Sequence, residues 1–230
     1  MEYVEIARAE SERGELVLRE RKENGAPSVL ELRVNGLFVM DTFETTTEQA
    51  LADAALDLVE EPRDVLVGGL GLGFTMHRVL ADTRVERCSV VELEPALVEW
   101  MRDGTIPHGP AMLADERANP VIADIAAAVG EAPEASYDLV LLDVDNGPRN
   151  LVHQHNADLY EPPFLGEVRR MLRPGGAVAI WSADPSPELE ATLERVFGNS
   201  ETTGFDVTLQ DRDEKYWLHV ARVGAVASDG

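Results

Sequence analysis

The chain has 230 residues, 44% of them hydrophobic, which is enough for one medium-sized domain with a small addition. Its 43 acidic and 20 basic residues give a formal net charge of −23, which repels a phosphate backbone, so we expect no nucleic-acid partner. No apolar stretch approaches the roughly 20 residues that span a bilayer, no signal peptide is recognisable, and a single cysteine cannot form an internal disulfide. We therefore expect a cytoplasmic protein without membrane contact, whose acidity serves solubility.

The first part of the chain predicts a β-hairpin followed by a helix. Residues with alternating polar and apolar character lie at 15–19, 29–34 and 37–40. The last two segments are joined by Asn35-Gly36, a strong turn signal, so we expect a small antiparallel β module over residues 1–45. Three threonines at 45–47 can then begin a helix that runs through Glu60.

From Asp64 onward, strand-like and helix-like segments alternate, which predicts a parallel sheet with right-handed crossovers. The strands are expected near residues 64–68, 87–92, 119–123, 138–143 and 176–182. The helices are expected near residues 73–81, 95–103, 123–129, 157–172 and 186–197. Two last strands, 205–209 and 216–221, flank a polar turn at 211–214 and predict a hairpin on the sheet edge. The predicted fold class is α/β, a Rossmann-like doubly wound and mostly parallel sheet that forms a catalytic domain at 46–230.

A glycine-rich loop follows the first strand of this sheet. Its pattern G-x-G-x-G at Gly69, Gly71 and Gly73 lets the backbone approach a ligand without Cβ clashes. Phe74 stands where the dinucleotide-binding pattern G-x-G-x-x-G needs a glycine. Glu92 ends the next strand, nineteen residues after the last of these glycines, and a carboxylate there can bind both ribose hydroxyls. The combination looks like the first motif of transferases that use S-adenosylmethionine.

Two further acids, Asp124 and Asp143, directly follow predicted strands. Ligands of doubly wound sheets bind beyond the carboxyl ends of the strands, so these acids and Glu92 are expected around one crevice. Their mutual repulsion favours a ligand that is cationic or rich in hydroxyl groups. Each acid could instead cap a helix or end a strand in solvent, and for Asp124 alone the two interpretations are about equally good.

Over most of its length the chain resembles the polyamine aminopropyltransferases, the spermidine synthase family. The resemblance lies in the order of motifs at 35–36, 68–73, 91–95, 123–124, 137–143, 159–160, 164–165 and 172–176. It implies a donor site made of Gly69, Gly71, Gly73, Glu92, Leu93, Asp124 and Ile125. In that site Glu92 would hold the ribose, and Asp124 with Ile125 would hold the adenine. Asp143 would be the catalytic residue, beside the attacking amine and the sulfonium.

The chain also departs from this family at several polar positions. The family has an aspartate at the position of Gly71, where it helps to hold the ammonium group of the donor's aminopropyl chain. Its hairpin glutamine falls at Val39, and its Tyr-His-Glu run falls at 48–50. The second acid of its Asp-Ser-Ser-Asp-Pro run aligns with Asn146 unless Asp145 substitutes. Candidate substrate-binding residues are Asp145, Asn146 and Tyr160. A site for a polycation has lost carboxylates, which indicates an altered substrate or donor.

Three functions therefore stay open. The first is methyl transfer from S-adenosylmethionine to a small acceptor such as an amine, and the glycine at position 71 favours it. The second is aminopropyl transfer from decarboxylated S-adenosylmethionine to putrescine or another amine, which the overall resemblance and Asp143 favour. The third is a cofactor-binding homologue without turnover, because several family residues are missing. The resemblance further implies a homodimer or larger assembly through the N-terminal β module.

The segment 148–156 follows the candidate catalytic acid and is expected to form a lid. Its two histidines, His153 and His155, could form a metal site together with Asp143 and Asp145. The spacing matches no metal-binding motif, and two histidines in a loop are more often solvated, so we expect no metal.

Overall fold

The computed structural model describes residues 2–23, 25–145, 147–209 and 212–224. In these residues the strands form one four-stranded and one seven-stranded sheet. No helix in the described ranges is long and apolar enough to cross a membrane.

The four-stranded sheet is antiparallel and follows chain order. Its strands are β1 Glu2–Ser11, β2 Gly14–Lys22, β3 Val29–Val34 and β4 Leu37–Asp41. The turn at Asn35-Gly36, with φ of 51° and 77°, confirms the hairpin signal. The strand β1 was not among the predicted segments, because it is exposed on both faces over its first half and so lacks the alternation of a half-buried strand.

The helix α1, Thr46–Leu56, is shorter than predicted. It was expected to run through Glu60, but it ends four residues earlier. The side chain of Arg84 donates hydrogen bonds to the carbonyl oxygens of Leu56, Val59 and Glu60 at 3.2–3.4 Å. These carbonyls therefore find a partner from a distant loop, and no local pattern could predict it.

The seven-stranded sheet confirms the predicted doubly wound α/β fold. Its strands are β5 Asp64–Gly68, β6 Arg87–Glu92, β7 Ala118–Ile122, β8 Tyr137–Leu142, β9 Leu172–Ser182, β10 Glu201–Leu209 and β11 Arg212–Arg222. Their order is β10-β11-β9-β8-β5-β6-β7, with β5 to β9 parallel and the β10–β11 hairpin antiparallel at one edge. β9 begins four residues before its predicted start, since Leu172 pairs with Tyr137 ahead of a register shift.

The helices are α2 Phe74–Ala81, α3 Pro95–Asp103, α4 Gly109–Leu113, α5 Ile125–Glu131, α6 Pro162–Met171 and α7 Pro187–Phe197. The single helix predicted at 157–172 is wrong: a 3₁₀ helix, Gln154–Tyr160, precedes α6 and is separated from it by Glu161 in an extended conformation. The two prolines that open α6 explain the break, because proline disfavours helical geometry in the residue before it and suits the first turn of a new helix.

Both faces of the large sheet are buried. Along β8, Leu139 and Leu141 join the core beneath α1 to α3 and the small sheet, whereas Val140 and Leu142 join the core beneath α5 to α7. The strand order reverses between β5 and β8, and at such a point the loops after the two strands diverge and leave a crevice.

Candidate active site

A cleft of about 760 Å³ opens at the carboxyl ends of β5 and β8. Its walls include β4 with parts of β2 and β3, the start of α1, the glycine loop after β5 and the strand ends of β6 to β8. The segment 149–158, Trp181 on β9 and Tyr216 on β11 line it as well. The small N-terminal sheet therefore contributes one wall of the cleft that the large sheet creates.

The glycine loop brings bare main chain to this cleft. Gly69, Gly71 and Gly73 have φ of 93°, 49° and 87°, the left-handed region that favours glycine. A Cβ at Gly71 would lie 2.5 Å from the sulfur of Met40 on β4, and that sulfur accepts a hydrogen bond from the N–H of Leu72 at 3.2 Å. The loop is thus held from above by the N-terminal sheet, in a shape that a larger residue would disturb.

Glu92 lies buried at the end of β6 and faces the glycine loop. Its two carboxylate oxygens accept hydrogen bonds from the N–H groups of Leu70 and Glu94 at 2.9 and 2.8 Å. Burial raises the pKa of this carboxyl, and the backbone hydrogen bonds oppose that rise. The acid is consequently fixed in orientation, and each oxygen retains a lone pair for a further donor.

Arg13, in the turn between β1 and β2, supports this region and was missed by sequence reasoning. Its guanidinium donates to the carboxylate of Glu94 at 2.6 Å and to the carbonyl oxygen of Leu93 at 3.2 Å. Ser11 donates to the same carboxylate at 3.1 Å. The hairpin tip therefore fastens the segment after Glu92 in place, through contacts about 80 residues apart in sequence that no local signal reveals.

Asp124 and Ile125 also line the cleft, at the start of α5. Asp124 caps α5, since its carboxylate accepts hydrogen bonds from the N–H groups of Ala126 at 2.8 Å and Ala127 at 3.3 Å. Ile125 is buried and presents an apolar surface to the cleft. The capping interpretation is correct for Asp124, and it is compatible with a ligand contact because both residues line the cleft.

Asp143 follows β8 and lies against the glycine loop. The backbone N–H of Asp143 donates to the carbonyl oxygen of Gly68 at 2.9 Å. A Cβ on Gly69 would overlap the carbonyl oxygen of Asp143. Its side chain accepts a hydrogen bond from the hydroxyl of buried Thr75 at 2.8 Å. Burial raises the pKa of Asp143, while the Thr75 hydroxyl favours the ionised form.

A second carboxylate, Glu48, faces the same part of the cleft from the first turn of α1. Burial, together with the negative charge of Asp143, raises its pKa to about 7. Trp181 at the end of β9 and Tyr216 on β11 line the adjoining wall and stack at 5.5 Å between ring centroids. We call this group of two acids and two rings the acid-aromatic corner. Trp181 is buried and also lines the cleft.

The three predicted substrate residues have different surroundings. Asp145 is buried at the cleft wall and accepts hydrogen bonds from the Val152 N–H at 2.6 Å, the Asn156 amide at 3.0 Å and the Tyr160 hydroxyl at 3.2 Å. Tyr160 is buried behind it and is not among the described residues that line the cleft. Asn146 lies outside the described residues. Asp145 and Tyr160 therefore hold the following segment in place, and their role toward a substrate stays a prediction.

The two loop histidines lie at the cleft and stack on each other at 5.5 Å between ring centroids. Burial and the neighbouring His155 lower the pKa of His153. In the described part of the chain, no three His, Cys, Asp or Glu side chains are grouped as metal ligands.

The family model for the spermine/spermidine synthase domain matches residues 44–203, well over half of the chain. The chain belongs to the spermine/spermidine synthase family. It is 32% identical over 165 residues to polyamine aminopropyltransferase 2 of Pseudomonas aeruginosa, an alignment that covers 67% of this chain and 45% of that protein. It is 34% identical over 133 residues to putrescine N-methyltransferase 3 of Nicotiana tabacum, covering 55% of this chain and 33% of that protein. The chain thus matches less than half the length of these two relatives.

The fold is that of solved spermidine synthases. A spermidine synthase in complex with the transition state analogue AdoDATO superposes with a TM-score of 0.81 at 20% identity, covering 96% of this chain and 74% of that one. Glu48 lines the cleft but was not predicted as a site residue. In the sequence, position 48 stood out only as the place where the family's Tyr-His-Glu run is replaced. The signal available was that this replacement is itself an acid, one turn into a helix that precedes the glycine loop.

Proposed function

We propose that this protein transfers an alkyl group from an adenosyl sulfonium donor to a nitrogen atom of a small amine. The first candidate reaction is methyl transfer from S-adenosylmethionine. Membership of the spermine/spermidine synthase family supports the class of donor and acceptor. The finer choice of donor rests on the residues of the cleft.

One observation carries this proposal: the glycine loop with Glu92 and the acid-aromatic corner share a single cleft, and Asp143 of that corner lies against the glycine loop. Main chain without side chains suits a flat nucleoside, and a buried acid with free lone pairs suits its ribose hydroxyls. Paired carboxylates beside aromatic rings suit a cationic amine. Donor and acceptor would then meet at Asp143.

The residues of the cleft fit such a donor. Gly69 and Gly71 line the cleft with main chain, and Glu92 and Leu93 line it as well. Gly73 is not among the described residues that line the cleft, and a Cβ there would meet Met101 at 2.7 Å. Asp124 and Ile125 offer a polar rim and an apolar surface for the base. Bound there, the donor supplies a carbon activated by a positively charged sulfur.

The surroundings of Gly71 support the choice of S-adenosylmethionine as donor. In place of the family's aspartate, the nearest side chain to this glycine is the apolar Met40. Both donors carry an ammonium group on this chain, but only S-adenosylmethionine also carries a carboxylate there. The absence of an acidic side chain at position 71 removes a repulsion of that carboxylate and so favours S-adenosylmethionine. The putrescine N-methyltransferase of Nicotiana tabacum supports the same form.

Aminopropyl transfer is the second candidate. It is supported by the relative from Pseudomonas aeruginosa, whose alignment is the longer of the two, and by the acidic character of the cleft. A protein that binds the donor without turnover is the third candidate, supported by the replaced family residues.

The chain's own part in the reaction is positioning. Asp143 would orient the acceptor nitrogen toward the reacting carbon, and an aligned nucleophile held close behind that carbon is the main source of rate in such a displacement. The stacked rings of Trp181 and Tyr216 would exclude water from the acceptor.

Calorimetry with S-adenosylmethionine, decarboxylated S-adenosylmethionine and methylthioadenosine tests the proposal, followed by mass-spectrometric detection of products from putrescine and other amines. We expect binding of S-adenosylmethionine and an N-methylated product. Binding and transfer with the decarboxylated donor alone would establish the second candidate, and binding without product the third. Glu92→Gln should weaken every adenosyl compound at least tenfold, whereas Asp53→Asn, an exposed acid on α1 away from the cleft, serves as the control.

A further inference from the structure

We propose that Glu48 is the proton acceptor for the attacking amine, and that the chain has divided between two carboxylates the work of binding the ammonium group and of deprotonating it. The proposal rests on the function proposed above. It concerns a residue on α1, outside the strand ends that supply the other acids of the cleft.

Glu48 is placed by α1 and by the segment that precedes it. It lies in the first turn of the helix, half-buried, with the hydroxyl of Thr47 donating to its Oε2 at 2.6 Å. The helix packs on α2, which begins at the end of the glycine loop, so the position of Glu48 is fixed relative to that loop. The side chain is therefore held at the cleft by two packed elements.

Three groups line the same cleft as Glu48 and interact with it electrostatically: Asp143 from the end of β8, Tyr216 from β11, and Glu44 from the segment before α1. Both other acids disfavour a second negative charge, and no described cation compensates it. A primary ammonium placed between Glu48 and Asp143 would relieve this repulsion. Glu48 and Asp143 are thus arranged to bind the positively charged ammonium group and to take up one proton from it.

The neighbouring groups are less suited to take that proton. Burial and nearby acids raise the pKa of Tyr216, so its phenol stays protonated and does not act as a base. Burial raises the pKa of Asp143, and the Thr75 hydroxyl opposes that rise. An ammonium group bound beside this carboxylate would favour its ionised form and so suits it to bind the cation. Glu48, with a pKa of about 7, is close to the value at which a base is both ionised and able to hold a proton.

An N–H bond of the ammonium breaks and its proton goes to a carboxylate oxygen of Glu48. The freed lone pair forms the N–C bond as the C–S bond breaks, and the electron pair of that bond stays on the sulfur, which becomes a neutral thioether. Glu48 then returns its proton to solvent through the open side of the cleft.

The test compares wild type, Glu48→Gln and the control Asp53→Asn in three measurements. Donor binding is measured by calorimetry. Initial rates with putrescine are measured from pH 5.5 to 9. Putrescine binding is measured at pH 7 in two buffers of different ionisation enthalpy, which reports the protons released. We expect Glu48→Gln to bind donor as wild type does, to lose about 100-fold in kcat/KM, and to lose the rise in rate through pH 7.

The proton count does not depend on turnover. Wild type should release roughly half a proton per putrescine bound at pH 7, because a group with a pKa near 7 is half protonated there. Glu48→Gln should release less, and Asp53→Asn should match wild type in all three measurements.

Three outcomes would overturn the inference. Wild-type-like rates and pH profile in Glu48→Gln, or equal proton release in both proteins, would show that Glu48 is not the base while leaving the proposed function intact. If Glu48→Asp lost as much rate as Glu48→Gln while its pH profile stayed that of wild type, Glu48 would have a steric role only. Failure of wild type to bind either donor would instead overturn the proposed function, and the inference with it.

Discussion

Asp143 is the residue on which the proposed chemistry depends. Asp143→Asn keeps the shape of the side chain but removes the charge that faces the acceptor. We expect turnover to fall at least about 100-fold, while donor affinity changes little because the glycine loop and Glu92 are untouched. Single-turnover kinetics combined with calorimetry measures both quantities.

A graded variant checks the same assignment. Thr75→Val removes the hydroxyl that donates to Asp143 and should give a smaller loss of rate than Asp143→Asn. Normal turnover in Asp143→Asn would contradict the assignment.

Glu48 gives a stability prediction that needs no substrate. Burial raises its folded pKa from 4.5 to about 7, so between these values the folded chain binds more protons than the unfolded chain. The contribution of Glu48 to the free energy of unfolding therefore falls as pH rises from 4.5 to 7 and stays low above that. Glu48→Gln lacks this penalty and should be more stable than wild type by roughly 1–3 kcal/mol at pH 8, but not at pH 5. Urea unfolding at both pH values measures the difference.

The control for this prediction is Asp53→Asn, on the same helix but paired with Arg78 at the surface. It should show no gain in stability between pH 5 and pH 8. If the difference between Glu48→Gln and wild type were the same at both pH values, Glu48 would not titrate as described.

At the scale of elements, the segment 147–160 is held by one buried acid. Asp145 accepts three hydrogen bonds, from the Val152 backbone, Asn156 and Tyr160. Asp145→Ala leaves three donors without their partner, and we expect a loss of roughly 2–4 kcal/mol in the free energy of unfolding. We also expect faster proteolytic cleavage within this segment and a higher KM for both substrates, since the segment lines the cleft.

The matched control removes a surface contact of the same segment. Glu188→Gln breaks only the exposed pair with Arg149, which should change the free energy of unfolding by less than about 1 kcal/mol. Equal effects of the two variants, measured by thermal unfolding and limited proteolysis, would contradict the special role of Asp145.

The elements with a clear local signal were predictable. The β5 and β6 strands have the bounds that their apolar runs indicate, and α3 begins at Pro95 as expected. One error has a tertiary cause, because Arg84 binds the carbonyls of Leu56 and of two residues after α1. The other has a local cause, because the prolines at 162 and 163 break the helix expected at 157–172. The spacing of apolar residues and the turn-forming residues thus predict that an element exists, whereas contacts from distant residues can decide where it ends.

At the scale of the whole molecule, strand order brings the site together. Glycine-loop and strand-end residues were predictable as neighbours because carboxyl ends of parallel strands share one edge. Glu48 and Arg13 were not, since their positions depend on how α1 and the small sheet pack on the large one. The same packing places Met40 on the glycine loop. A sequence pattern holds no information on such packing, so the cofactor side of the site was easier to predict than the acceptor side.

The assembly of the molecule remains a prediction with a structural basis in the small sheet. β1 lies at its edge, and Val4 and Ile6 on this strand are 37% and 42% exposed. An exposed apolar edge strand is suited to pair with a second chain, so we expect a dimer of about twice 25.2 kDa by light scattering.

The substitution Ile6→Lys should convert this dimer to a monomer. Ile122→Lys is the matched control, because Ile122 is 45% exposed on β7 at the edge of the other sheet. A monomeric wild type, or an unchanged mass in Ile6→Lys, would contradict association through β1. Because β4 of the same sheet lines the cleft, the monomeric variant should also bind donor more weakly than the control does.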